Sequence, residues 1–270
     1  MRWEQATALP YSSGVLPRRW RQSHRSPGNE TLGRAEFGAV FCGVYLSDIM
    51  TAPYRLSITQ FTGHFREQLA QIESVQSEQF RQTLYCLVLD PFATAAYPKA
   101  GSRLGVVRLL RELTGWPDAQ RVSRLELRLA LHSSNLATGP LYREVLKRLK
   151  SQPIRNKTLL SASPLLSELE PYATTAQEKK ILDMCTYSHL FYTFRSNLVH
   201  EFRPPGYQTD WGRGSADPYY GKSAFDKYQP VFPVAFLSRI AHDSLRQLEI
   251  KLLADKIAPH SKFKLGSLWR

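Results

Sequence analysis

Apolar positions along this chain recur mostly in steps of three and four, the spacing of a helix with one buried face, and seldom in the alternation of a half-buried strand. From about residue 57 to 96, Phe61, Phe65, Leu69 and Ile72 form one stripe and Phe80, Leu84, Leu87 and Val88 the next. This predicts one long helix or two consecutive ones, ending before Pro98. Asp90-Pro91 inside that run predicts a kink or a helix boundary, with no chemistry assigned to it. A helix over 102–114 stops at Gly115 and Pro117. Another starts at Ser123, where Leu125, Leu127, Leu129 and Leu131 also allow a strand, and Leu141 to Leu149 reads as a helix closed by Pro153.

The clearest element is predicted over Thr175 to Phe202: Thr175 and Glu178 form a capping-box pair, no Pro or Gly follows, and Pro204-Pro205 ends it. Its expected buried stripe is Ile181, Met184, Ser188, Phe191, Arg195, Leu198 and Phe202, which puts an arginine where the pattern asks for an apolar residue. The last helix runs from about Pro233 to Ile257, with Phe236, Ile240, Leu245, Leu248 and Leu252 toward the core and the proline in its first turn. Between these two helices lies a loop over 204–230 with room for a short hairpin. The fold class is therefore all-α, a helical bundle with a long loop or short hairpin before the last helix.

Residues 1–50 read as a basic, largely flexible extension rich in Pro, Ser, Gly and Arg, 51–258 as the helical domain and 259–270 as a basic tail. Met50-Thr51-Ala52-Pro53 has the look of a natural start, so the segment before it is expected to add little to the fold. The apolar run Phe37 to Leu46 points the other way, as a strand or short helix against the body. The net charge of +13 favours a polyanionic partner, although part of the excess lies in the two tails. Cys42, Cys86 and Cys185 are far apart and show neither metal-ligand spacing nor a disulfide framework. The expectations are a cytoplasmic protein with no metal, no cofactor and no membrane span. The chain also lacks a phosphate-cradling glycine loop and a serine nucleophile elbow, which disfavours nucleotide and serine hydrolysis.

Candidate chemistry is concentrated in Phe194-Arg195-Ser196-Asn197-Leu198-Val199-His200-Glu201-Phe202-Arg203. Five residues on a helix turn by about 500°, so Arg195 and His200 point about 140° apart and do not share a face. They converge on one phosphate more easily if a second copy of the helix supplies the complementary group across a two-fold axis. The chemistry that suits such a pair is RNA cleavage without a metal. The ribose 2′-hydroxyl attacks its own phosphorus, imidazole moves the proton and guanidinium holds the nonbridging oxygens.

The arginine, four intervening residues and histidine resemble the Rx4-6H motif of HEPN domains. The resemblance is specific over 176–203 and extends loosely over 55–258. It implies a helical bundle, a homodimer, and a metal-independent endoribonuclease of the kind found in toxin, abortive-infection and other antiviral defence systems. An antitoxin or regulatory protein is implied as a further partner beside RNA. By the resemblance Arg195 is the phosphate-contacting arginine and His200 the catalytic histidine. The family usually has Asn, Asp or His directly after the arginine, where this chain has Ser196 with Asn197 next. Phe202 stands where members paired with a nucleotidyltransferase carry a modifiable tyrosine. Arg19 and His24 show the same spacing, but in the Pro- and Ser-rich arm and not at a helix end.

Around this pair, Ser196, Asn197 and Glu201 are assigned to orienting the site, and Arg203 to phosphate affinity or simply to the helix C-terminus. His189 lines the same groove or is an ordinary helix-surface histidine. Tyr207 and Trp211, with Tyr219 and Tyr220, stack on unpaired bases or pack the loop against the bundle. The alternative to an enzyme is a noncatalytic helical module that binds nucleic acid or protein and dimerises.

Overall fold

The computed structural model describes residues 53–203, 215–222 and 227–259, all within the larger of two units, Gly43–Arg270. The basic extension, the Phe37 to Leu46 run, Arg19 and His24, Tyr207, Trp211 and residues 260–270 lie outside the described residues.

Two consecutive helices open the fold, α1 (Pro53–Ser74) and α2 (Glu78–Ala96). The Ser77 hydroxyl accepts from the Phe80 N–H and starts the second. Pro91 lies inside α2 and does not end it. Helix α3 (Ser102–Glu112) is followed by Gly115, whose φ of +62° turns the chain in a conformation that suits glycine. The segment after Ser123 is a helix and not a strand: α4 (Arg124–Ser133), capped by the Ser123 hydroxyl. Helix α5 (Pro140–Ser151) has proline at its first turn. A short helix α6 (Leu166–Leu169) leads on to α7 (Ala176–Met184), α8 (Tyr187–Glu201) and α9 (Val234–Asp255), and Pro233 caps α9 from just outside it. The hairpin expected before the last helix is present, with β2 (Tyr219–Lys222) antiparallel to β3 (Tyr228–Val231). Strand β1 (Thr158–Leu159) joins on the other side of β2, pairing Thr158 with Tyr220 and Leu159 with Tyr219.

One core joins α1, α2, α3, α8 and α9, and its centre is aromatic: Trp116 and Phe191 meet Phe232 and Phe236 edge to face, with the Trp116 and Phe236 rings 4.9 Å apart, while Phe232 and Phe236 stack. A second joins α4, α5 and α7 through Leu127, Leu131, Leu141, Val145 and Leu182. Between them lies a buried chain of hydroxyls, Ser163 to Tyr187 to Tyr220 to Ser123, at 2.6, 2.9 and 2.7 Å. Tyr219 and Tyr220 are buried there, so they pack the hairpin and offer no stacking face.

The single helix expected over 175–202 is two. The chain breaks at Cys185-Thr186 because residues 119–123 cross it and take up its backbone groups. Ser123 N–H donates to the Cys185 carbonyl, and the N–H groups of Tyr187 and Ser188 donate to the carbonyls of Arg121 and Ala119, each at 2.9 or 3.0 Å. Pairing across the fold here outweighs an uninterrupted helical sequence. The break also rotates the expected stripe: Ser188, Phe191, Arg195 and Leu198 are buried, but Met184 and Phe202 are exposed. Among the described residues no helix is long and apolar enough to cross a membrane.

Candidate active site

Helix α8 carries the Arg195 and His200 pair, and its packing decides where each side chain goes. Phe191, Phe194 and Leu198 anchor the helix in the core. Arg195 shares their side of the helix and is only 4% exposed. Its guanidinium is salt-bridged through Nη2 to Asp90 of α2. Burial lowers the Arg195 pKa, while the cation opposes the effect of burial on Cys86, which lies one turn before Asp90 and is pushed up to about 12. The pair is not saturated, since Arg195 Nε and Asp90 Oδ1 are both buried without a hydrogen-bond partner among the described residues. Asp90, passed over in the sequence, thus holds the central arginine. The available signal was a carboxylate in the apolar run Leu87 to Phe92.

His200 leaves the same helix in a different direction and is exposed, as the angle between the two positions predicts. Ser196 and Asn197 are half-buried between them. Glu201, assigned to orienting the site, pairs instead with Arg203, their charged groups 2.5 Å apart. Phe202 ends the helix in the left-handed region at φ 52°, and the Gln79 side-chain amide donates to its carbonyl at 2.6 Å. The first turn of α2 therefore fixes the end of α8 that bears His200, while Asp90, near the other end of α2, fixes Arg195.

Two further residues belong to this surface and carried no motif. The Tyr192 ring, half-buried on α8, has the Arg195 guanidinium carbon at 6.0 Å from its centre and that of exposed Arg103 at 5.8 Å. Both cations thus lie over the Tyr192 ring, and of the two only Arg103 is exposed.

The structure does not bring His189 to this surface. It is buried at the other end of α8, with Nε2 3.0 Å from Asp183 Oδ2, and therefore does not line a groove with His200. Arg111 donates to the other Asp183 oxygen, to Thr186 Oγ1 and to Ser188 Oγ, at 2.8, 2.8 and 2.9 Å. The hydrogen bond from His189, reinforced by Arg111, holds Asp183 down at about 2 against the opposing effect of burial. These groups secure the α7 to α8 break. Among the described residues no group of three or more His, Cys, Asp or Glu side chains is arranged to hold a metal ion.

Comparison with family models, with curated proteins and with solved structures gave no match to this chain.

Proposed function

We propose that this protein is a metal-independent endoribonuclease of the HEPN type that acts as a homodimer, as a toxin or defence effector. The observation that carries the reading is the division of labour at the end of α8. A desolvated arginine with an unused Nε–H is held rigidly, and five residues on a solvent-facing imidazole is free to move protons. A low-dielectric guanidinium gains more from charge building up on phosphate oxygens than an exposed one does. The 2′-oxygen attacks phosphorus as its proton passes to His200, and the 5′-oxygen leaves with a proton returned by imidazolium. The products are a 2′,3′-cyclic phosphate and a 5′-hydroxyl. Because the two side chains diverge on one helix, the second copy's α8 supplies the complementary group.

The exposure difference fixes the informative variant. His200→Ala removes an exposed side chain and leaves the fold intact, whereas Arg195→Ala also disturbs the core. Purified protein is incubated with transcripts in EDTA. The expected result is a loss of 100-fold or more in cleavage by His200→Ala, with unchanged melting and RNA affinity. Equal cleavage by wild type and His200→Ala sinks the enzyme reading. One observation favours a noncatalytic nucleic-acid-binding module instead, namely the internal carboxylate that already neutralises Arg195. That reading expects RNA to be bound and left uncut.

A further inference from the structure

A cavity of about 220 Å³ lies between α8, the first turn of α4 and strand β3, away from the Arg195 and Asp90 pair. Drug-sized ligands occupy several hundred Å³, so this space suits a single aromatic heterocycle. Its floor is the mutually tilted rings of Phe194 and Phe232, 5.1 Å apart. Two of its walls are polar. Glu126 comes from α4 and forms no side-chain hydrogen bond or ion pair with the described residues, and burial alone raises its pKa. Gln229 comes from β3, and its Oε1 is buried without a partner. A buried acceptor left unmatched, as Gln229 Oε1 is, is uncommon, and it is a cost that a ligand with a matching donor removes, while the half-buried Glu126 carboxyl stands beside it without a side-chain partner among the described residues. Thr193 of α8 lines the rim with a hydroxyl.

We propose that this cavity is a base-recognition site for guanine, with the Glu126 carboxylate accepting from N1–H and N2–H, Gln229 offering a further acceptor, and the Phe194 and Phe232 rings beneath the base. The donor pattern selects the base. Guanine presents two adjacent N–H donors to a carboxylate. Adenine and cytosine each set one ring-nitrogen lone pair against it, and uracil flanks its single N–H with two carbonyl oxygens. The Thr193 hydroxyl, which donates to the His189 carbonyl at 3.3 Å, turns to O6 when the base is bound. Thr193 and His200 are seven residues apart, about 20° short of two turns, so they lie on one face of α8 with a rise of about 10.5 Å between them. A guanine in the pocket therefore places the next nucleotides of an extended strand along α8 toward His200. The pocket's role in choosing the cleavage position rests on the ribonuclease reading. Its preference for guanine does not.

Binding of GMP, AMP, CMP and UMP to the full chain is measured by ligand-observed NMR titration, beside cleavage-site mapping on a mixed-sequence transcript. The expected result is a GMP affinity at least tenfold above that of the other three, reduced tenfold or more by both Glu126→Gln and Gln229→Met and unchanged by His200→Ala. Glu126→Gln keeps the side-chain size while replacing one acceptor with a donor, and Gln229→Met supplies an independent test should that variant fold poorly. Equal binding of the four nucleotides, or GMP binding that survives both substitutions, overturns the assignment. GMP-selective binding without any RNA cleavage keeps the pocket and removes the enzyme. Cleavage at positions unrelated to guanine removes the pocket's role in choosing the site.

Discussion

Arg195 and Asp90 form a pair whose two members face unequal environments, and this makes their removal unequal. The arginine side chain is 5% exposed and the aspartate 34%. Deleting Asp90 leaves a buried cation without an anion, which costs about 3–5 kcal/mol. Deleting Arg195 leaves a carboxylate that water can reach, at a smaller cost of about 1–3 kcal/mol. Urea melts are expected to rank Asp90→Ala below Arg195→Met in stability, with His200→Ala within about 0.5 kcal/mol of wild type. The reverse order for the first two would mean that Asp90 is not the support of the buried Arg195 cation. Asp183 poses a separate question of sign. Its folded pKa of about 2 lies below the ordinary value of 3.8. Its contribution is therefore fully present above the unfolded pKa and is lost as pH falls from about 4 through 2. With 43% of its side chain exposed, solvent screening reduces that contribution to about 1 kcal/mol. Wild type and Asp183→Asn should differ in melting temperature at pH 6 and converge toward pH 2, and a constant gap would exclude this linkage.

At the scale of elements, the turn between α7 and α8 shows how a local signal and a distant one divide the outcome. Thr186 is the residue before α8, its Oγ1 donates to the Asp183 carbonyl at 2.7 Å, and Arg111 donates to it in turn. Thr186→Val keeps the shape and leaves these groups unmatched, so a loss of about 1–3 kcal/mol is expected from denaturant unfolding, without loss of helix by circular dichroism. Periodicity, proline and cap chemistry made the existence of most helices legible: Ser123 and Thr175 cap helices as expected, and Ser77 and Pro140, not singled out beforehand, start two others by the same chemistry. The break at Cys185-Thr186 was not legible because Thr186 and Asp183 reinforce it locally and do not force it. Residues 119–123 do, by claiming backbone groups some sixty positions downstream. For the site, the divergence of Arg195 and His200 followed from helical geometry alone. Asp90 as the arginine's partner, and the place of Tyr192 between Arg103 and Arg195, depend on which helices become neighbours, and spacing within one helix carries no such information.

For the molecule as a whole, part of the charge surplus acquires a location on α5. Glu144 and Glu168 are both engaged by Arg148. Arg143, Lys147 and Lys150 stay exposed along one face without a salt-bridge partner among the described residues. Steps of four and three put the three cations in a row of about 10.5 Å on a helix, a layout that a charged strand can follow. Single-stranded nucleic acid releases counterions in proportion to the phosphates neutralised, with a slope of about −0.7 in log affinity against log salt for each. Replacing all three by glutamine should therefore flatten the salt dependence of RNA binding by about 2. Affinity for RNA should fall most at low ionic strength, where the released ions count for most. The triple variant should still cleave saturating RNA at the wild-type rate, because none of these groups touches the phosphate at which His200 acts. A salt slope unchanged by the triple substitution would move the nucleic-acid surface off α5, and the +13 surplus would then act on RNA from elsewhere in the chain.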